Sequence, residues 1–151
     1  MKEASAILVI GYGNTLRSDD GVGPRVAEAV AALNLPGVRA VVCPQLTPEL
    51  AEPLSQARMV IFVDAAVDRP REVRLRSLTP AATSQTMAHA ADPSTILALA
   101  RDLFGRAPEA WWLTIPAADL GFGEGLSLLA RRGFQTALRQ IQTLAVRSGG
   151  Q

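Results

Sequence analysis

Hydrophobic residues along the chain alternate between short continuous runs and stretches with helical periodicity. Four runs predict β-strands, and the first and third are apolar throughout, as is typical of strands covered on both faces. They lie at residues 6–10, 38–43, 59–63 and 111–115. Apolar residues spaced three or four apart predict helices at residues 24–33, 93–104 and 130–144. This alternation indicates an α/β layer fold, and we predict a single domain over residues 1–151.

A fifth strand is predicted between Glu72 and Ser77, where polar and apolar residues alternate. Only about seven residues separate it from Asp64, at which the preceding strand ends, whereas a parallel crossover needs about a dozen or more. The fifth strand should therefore run antiparallel to its neighbour at an edge of the sheet. We predict a three-layer α/β/α sandwich with a mixed, mostly parallel sheet of about five strands.

Composition and charge restrict the possible functions. Of the 151 residues, 48% are hydrophobic and 19% are charged, as in ordinary globular proteins. The formal net charge is +1 without a block of like charge, which argues against a nucleic-acid or anionic-membrane surface. Only about six apolar residues precede Gly11, too few for a signal peptide or a membrane span, so we expect a cytoplasmic protein. Cys43 is the only cysteine, which excludes an internal disulfide and indicates a small buried hydrophobe.

The segment from Gly11 to Gly23 joins the first strand to the first helix, where ligands usually bind in an open α/β sheet. Its Gly-x-Gly start suggests a dinucleotide site, but the third glycine of that motif would be needed where Leu16 stands. Two carboxylates, Asp19 and Asp20, also occupy the stretch where a diphosphate requires positive charge. The sequence therefore argues against nicotinamide or flavin binding.

A cation suits this acidic loop better than a nucleotide. Asp64 follows another apolar strand of the same polarity, and if the first and third strands are neighbours it lies close to Asp19 and Asp20. His89, the only histidine, precedes a helix in a small polar loop. Two carboxylates and an imidazole can form a three-ligand site for nickel or zinc. Each residue also has a structural interpretation: helix capping for the adjacent aspartates, turn bonding for Asp64 and solvation for His89.

These residues occur in an order and in surroundings that resemble the hydrogenase maturation endopeptidases. The resemblance covers most of the chain, in order and without large gaps, so that residues 1–151 look like one hydrogenase-maturation-protease-like domain. The matching segments are Gly11-x-Gly13-Asn14 through Asp19-Asp20-Gly21, Val60 to Ala65, His89 with Asp92-Pro93-Ser94, and Gly121 to Ser127. The opening motif is fairly specific, whereas the other matches are specific only in combination.

The resemblance implies an endopeptidase that removes a C-terminal extension from the large-subunit precursor of a nickel–iron hydrogenase after nickel insertion. It places the metal-binding and catalytic triad on Asp20, Asp64 and His89. The nickel would be supplied by the precursor, and no organic cofactor is expected. Family members often have glutamate at the first position, so Asp20 is shorter by one methylene. Either Asp20 or Asp64 could act as general base, and a monomer is favoured.

Three other functions fit parts of the same pattern. A non-catalytic, metal-dependent binding or checkpoint protein for the precursor would keep the three ligands and release no peptide. A general metallopeptidase with its own zinc is disfavoured by the absence of an H-E-x-x-H sequence. A nucleotide-binding regulator would use the loop after the first strand without needing Asp20. For all of these, neither a nucleic acid nor a membrane is an expected partner.

Overall fold

The computed structural model describes residues 6–68, 71–82 and 92–149. The strands are β1 (Ile7–Tyr12), β2 (Val38–Cys43), β3 (Met59–Ala66), β4 (Arg74–Leu78) and β5 (Glu109–Pro116). The α-helices are α1 (Val22–Leu33), α2 (Ala51–Gln56), α3 (Pro93–Phe104) and α4 (Leu128–Gly149). Two short 3-10 helices, Ser18–Gly21 and Pro48–Leu50, lead directly into α1 and α2.

The strands form one mixed sheet in the order β2-β1-β3-β5-β4. β1, β2, β3 and β5 run parallel to one another, whereas β4 pairs antiparallel with β5 at the edge. The predicted antiparallel edge strand is therefore confirmed, and the first and third strands are neighbours. The carboxyl ends of β1 and β3 consequently meet at one edge of the sheet, where the loop after β1 begins.

Helices cover both faces of the sheet, which confirms the predicted three-layer sandwich. On one face α1 and α4 pack over side chains such as Val9 and Ile61, and on the other α2 and α3 pack over Ile10 and Phe62. All four side chains are fully buried, and each contributes roughly 1.5–3 kcal/mol through burial. Among the described residues, no helix has the length and apolar character needed to cross a bilayer.

Both ends of α3 agree with the sequence signals. Asp92 is the N-cap, and its carboxylate accepts a hydrogen bond from the N–H of Ser94 at 3.0 Å. Pro93 occupies the first turn, where its missing N–H needs no partner. Gly105 ends the helix in the left-handed conformation that glycine adopts without strain.

β1 and β3 are among the strands that extend beyond the predicted apolar runs. β1 continues through Gly11 to Tyr12, and β3 continues past Asp64 to Ala66. Pairing explains the extension of β3, because it remains in register with β5 as far as Ala66 opposite Pro116. Asp64 therefore lies within a strand and not in a turn, and the strand fixes the direction of its side chain.

Glycines allow α1 to lie directly on the sheet. A Cβ atom on Gly23 would fall 2.4 Å from the carbonyl oxygen of Val63 and 2.7 Å from that of Tyr12. A Cβ atom on Gly11 would fall 2.1 Å from the carbonyl oxygen of Gly23. Such distances are far inside van der Waals contact, so only glycine fits at these positions. The Gly-rich spacing of the loop thus follows from close packing of helix on strand and requires no bound phosphate.

Gly23→Ala is expected to lower the free energy of unfolding by about 2–3 kcal/mol, because the backbone of β1 and β3 would have to move. At an open helical position the same change would instead stabilise by about 1 kcal/mol. Gly125→Ala is the matched control, since a Cβ atom there meets nothing within 4 Å. Urea denaturation measures the free energy of unfolding of both variants. If Gly23→Ala is as stable as Gly125→Ala, the proposed packing constraint at Gly23 is contradicted.

Candidate functional site

Asp64 lies at the carboxyl end of the sheet, on the face covered by α2 and α3. It shares that face with Phe62, because side chains two apart along a strand point the same way. Its side chain is largely buried beside the hydroxyl of Tyr12. The pKa of Asp64 is raised to about 6: burial is the largest cause and the charge of Asp20 adds to it, whereas hydrogen bonds from Tyr12 and the amide of Ala65 act in the opposite direction. Asp64 is therefore a carboxyl group that titrates close to neutrality.

Tyr12 is a site residue that the sequence analysis missed. It is the last residue of β1, its side chain is buried, and its hydroxyl lies beside Asp64. Burial and the charge of Asp64 raise the pKa of Tyr12 well above its ordinary value, so the phenol stays a neutral hydrogen-bond donor. The signal was present in the sequence: had the first strand been extended by two residues, Tyr12 would have shared the face of Ile10 at the strand end.

The loop after β1 brings Asp20 to the same edge. Its Oδ2 accepts a hydrogen bond of 2.7 Å from the backbone N–H of Asn14. The side-chain oxygen of Asn14 in turn accepts from the N–H of Leu16 at 2.9 Å. Asn14 thus orients the loop, and Asp20 lies near enough to Asp64 for its charge to raise the pKa of that group.

Asp19 serves a different purpose from its neighbour. Its side chain is fully buried, and its carboxylate accepts hydrogen bonds from chain segments about one hundred residues away. The donors are the N–H groups of Ala118 (2.7 Å), Asp119 (3.0 Å) and Ser127 (2.7 Å) and the hydroxyl of Ser127 (2.6 Å). Burial alone would raise the pKa of Asp19, but these hydrogen bonds hold it below its ordinary value. Asp19 therefore fastens the acidic loop to the segment that begins α4 and, contrary to its structural interpretation, it does not cap the helix that follows it.

Further hydrogen bonds hold the glycine-rich turn against the acidic loop. The N–H of Ser18 donates to the carbonyl oxygen of Gly123 at 2.7 Å, and the Ser18 hydroxyl donates to that of Gly121 at 2.8 Å. The turn consequently forms one wall of the site. Phe122, between these two glycines, has a side chain that is 96% exposed.

His89, the third residue of the predicted triad, lies outside the described residues. Within residues 6–68, 71–82 and 92–149, no three side chains of His, Cys, Asp or Glu lie close enough together to hold a metal ion. The structure thus brings two of the three predicted ligands, Asp20 and Asp64, to one edge. Cys43 is partly buried in β2, and burial raises the pKa of its thiol, which disfavours a thiolate nucleophile.

The fold of the chain is similar to that of solved hydrogenase maturation endopeptidases. The chain is similar to the hydrogenase maturating endopeptidase HybD from E. coli, with a TM-score of 0.76 and 21% identity over 95% of this chain and 93% of that one. It is also similar to the hydrogenase 2 maturation peptidase from Thaumarchaeota archaeon SCGC_AB-539-E09, with a TM-score of 0.70 and 23% identity over 99% of both chains.

A third similar structure is the [NiFe] hydrogenase maturation protease HybD from Thermococcus kodakarensis. Its TM-score is 0.67, with 23% identity over 92% of this chain and 98% of that one. No protein family model matches the chain, and no curated protein matches it. The likeness to these three structures is therefore one of fold over almost the whole length of each chain.

Asp19→Ala is expected to lower the free energy of unfolding by about 3 kcal/mol, because it leaves several buried N–H groups without an acceptor. Urea denaturation followed by circular dichroism measures this loss. Asp119→Ala is the matched control: its carboxylate accepts one hydrogen bond, from the N–H of Gly121 at 2.9 Å, near the surface. The control should lose less than about 1 kcal/mol. If Asp19→Ala is as stable as wild type, the four hydrogen bonds to Asp19 do not hold the loop in place.

The raised pKa of Asp64 predicts a particular dependence of stability on pH. Between its ordinary value of 3.8 and about 6, the folded state keeps a proton that the unfolded state has released. The free energy of unfolding should therefore fall as the pH rises through this range. Asp64→Asn has no charge to bury, and at pH 7 it should be more stable than wild type by about 1–3 kcal/mol.

At pH 3.5 most of the advantage of Asp64→Asn should disappear, because the wild-type carboxyl is then protonated in the folded state and mostly protonated in the unfolded state. Urea unfolding at the two pH values, in the presence of a chelator, measures the difference. A gain in stability that is the same at both pH values would contradict the burial of a charged Asp64.

Proposed function

We propose that the protein is an endopeptidase that removes a C-terminal extension from the large-subunit precursor of a nickel–iron hydrogenase after nickel insertion. The nickel belongs to the precursor and is part of the substrate. Asp20, Asp64 and His89 are the proposed groups that engage it. The observation that carries the proposal is the meeting of Asp20 and Asp64 at one edge of a sheet that has the fold of solved hydrogenase maturation endopeptidases.

The electrostatics of the acidic pair support a cationic partner. Burial and the charge of Asp20 both disfavour the charged form of Asp64, and no cationic side chain among the described residues contributes to its pKa. A metal ion beside the two carboxylates would reverse this balance, because it favours their deprotonated forms. Carboxylate and imidazole ligands together suit a borderline ion such as nickel. A precursor without nickel would lack this attraction, so the pair can distinguish loaded from unloaded substrate.

The geometry also supports hydrolysis. Binding of the precursor's nickel would hold the adjoining peptide bond near the carboxylates, and a nearby metal ion polarises a carbonyl group. A carboxylate that is not itself bound to the nickel can take a proton from the attacking water. Either Asp20 or Asp64 can serve in this way, and the neutral Tyr12 hydroxyl donates a hydrogen bond to Asp64. The proton then passes to the leaving amine as the carbon–nitrogen bond breaks.

Incubation with nickel-loaded precursor, followed by mass spectrometry of the products, tests the proposal. Wild-type protein should release the C-terminal peptide. Asp20→Asn should lower the rate by about 100-fold or more, since it keeps an oxygen that can accept from Asn14 but removes the charge. His89→Ala should also fail to process the precursor. If either variant processes the precursor at the normal rate, the substituted residue is not part of the site.

Asp20→Glu is the charge-retaining control and should keep part of the activity, because it changes only the reach of the carboxylate. Precursor that has not received nickel should remain uncut, and adding nickel-loaded precursor to chelator-treated protein should restore cleavage. A wild-type protein that binds loaded precursor and leaves its mass unchanged would overturn the enzymatic proposal and favour a checkpoint protein.

A further inference from the structure

An arginine groove lies between α1 and α4. Its volume is about 600 Å³, within the range of about 300–1,000 Å³ that is typical of ligand pockets. Its charged side chains are Arg25 and Glu28 of α1 and Arg131 and Arg132 of α4. The groove therefore carries three guanidinium groups against one carboxylate, in a chain whose formal net charge is only +1.

The positive charge of the arginine groove is not neutralised within the described part of the chain. There, none of the three arginines forms an ion pair with a carboxylate. Arg131 and Arg132 are exposed, whereas Arg25 is half-buried and donates a hydrogen bond to the carbonyl oxygen of Glu124. A guanidinium group stays charged at every physiological pH. The groove is therefore complementary to an anionic group.

The rest of the lining is largely apolar. Leu126 and Phe134 are half-buried, and Leu128 is 56% exposed at the start of α4. A free inorganic anion would pair with the guanidinium groups and leave this apolar surface in water. A peptide that carries a carboxylate matches both parts, because its side chains cover the apolar surface while the carboxylate pairs with a guanidinium group. The lining therefore favours a segment of polypeptide over a free anion.

The arginine groove shares a wall with the candidate functional site. The glycine-rich turn that forms one wall of the site contains Glu124, which accepts from Arg25. Ser127, which donates to Asp19, separates the two leucines of the groove. Arg25 follows Asp20 by five residues of helical backbone, which span roughly 8–10 Å. About three extended residues cover that distance, so a polypeptide held at the acidic edge can reach the groove.

We propose that the arginine groove binds the C-terminal end of the precursor's extension through its terminal carboxylate. The inference rests on the proposed function and deepens it, because it names residues that hold the segment to be released. An extension at the C-terminus of a chain ends in a carboxylate whatever its sequence. Arg131 and Arg132 pair with that carboxylate, and Leu128 and Phe134 pack against the side chains that precede it. The tail is thus held on one side of the glycine-rich turn while the acidic edge engages nickel on the other.

Two changes test the arginine groove, one in the protein and one in the substrate. The double variant Arg131→Gln/Arg132→Gln removes two exposed charges and keeps good helix formers, so its melting temperature should be unchanged. Its KM for nickel-loaded precursor should rise about 3- to 10-fold while kcat stays within about twofold. Precursor with a C-terminal amide, made by ligation of a synthetic tail, should raise the KM of wild-type protein by a similar factor. The amide keeps the length of the tail and removes its charge.

The effects of the two changes should not add, because each removes one side of the same ion pair. The double variant should therefore cleave amidated and unmodified precursor with the same KM. Arg139→Gln is the matched control, since Arg139 is an exposed arginine of α4 that does not line the groove. It should keep the wild-type KM and the wild-type preference for the unmodified tail. Initial rates are measured by mass spectrometry.

Three results would overturn the proposed role of the arginine groove. The first is an equal KM of wild-type protein for amidated and unmodified precursor. The second is additive effects of the amide and the double variant, which would place the carboxylate elsewhere. The third is a double variant with unchanged KM that sediments as a monomer where wild type sediments as a dimer, which would assign the groove to a contact between copies. In each case wild-type protein still cuts the precursor, so the proposed function survives. A wild-type protein that neither binds nor cuts the precursor overturns the proposed function and the role of the groove together.

Discussion

The buried carboxylate of Asp19 is the interaction on which the arrangement of the site depends. It accepts four hydrogen bonds from two segments of the distant 118–127 region, so the acidic loop cannot shift without leaving those donors unpaired. Asp20 is the next residue in the chain, and its position follows from that of Asp19. On the other side of the loop, the contact of Gly23 with Val63 fixes α1 against β3. The hydrogen bonds of Asp19 and the contact of Gly23 with Val63 thereby hold Asp20 and Asp64 at a set separation.

The environments of Asp19 and Asp64 shift the pKa values of the two carboxyl groups in opposite directions. Hydrogen bonds outweigh burial at Asp19 and lower its pKa, whereas burial and a neighbouring negative charge outweigh the hydrogen bonds at Asp64 and raise its pKa to about 6. Carboxyl groups whose pKa values are driven apart in this way commonly have different roles. Ionised Asp19 contributes to stability, while Asp64 lowers stability near neutrality.

Much of the fold was predictable, because each strand or helix leaves a pattern in a short stretch of neighbouring residues. The apolar runs before Gly11 and Asp64 predicted central strands, and the short connection after Asp64 required an antiparallel edge strand. The role of Asp19 was not predictable, because its donors lie 99 to 108 residues away. Tyr12 was missed because strand pairing, and not hydrophobicity, carries β1 beyond Gly11. The placement of Asp20 and Asp64 at one edge followed from strand polarity once β1 and β3 were taken as neighbours, while the role of His89 stays a prediction.

The distance in sequence between Asp19 and its donors has a consequence for biosynthesis. While a nascent chain still lacks residues 118–127, the carboxylate of Asp19 has none of its four donors and the acidic loop has no anchor. β4 must also wait for β5, which is made later and lies between it and the rest of the sheet. Non-local contacts of this kind form late in folding. Ribosome-bound or prematurely terminated polypeptides that end before Ser127 would therefore lack an ordered acidic loop.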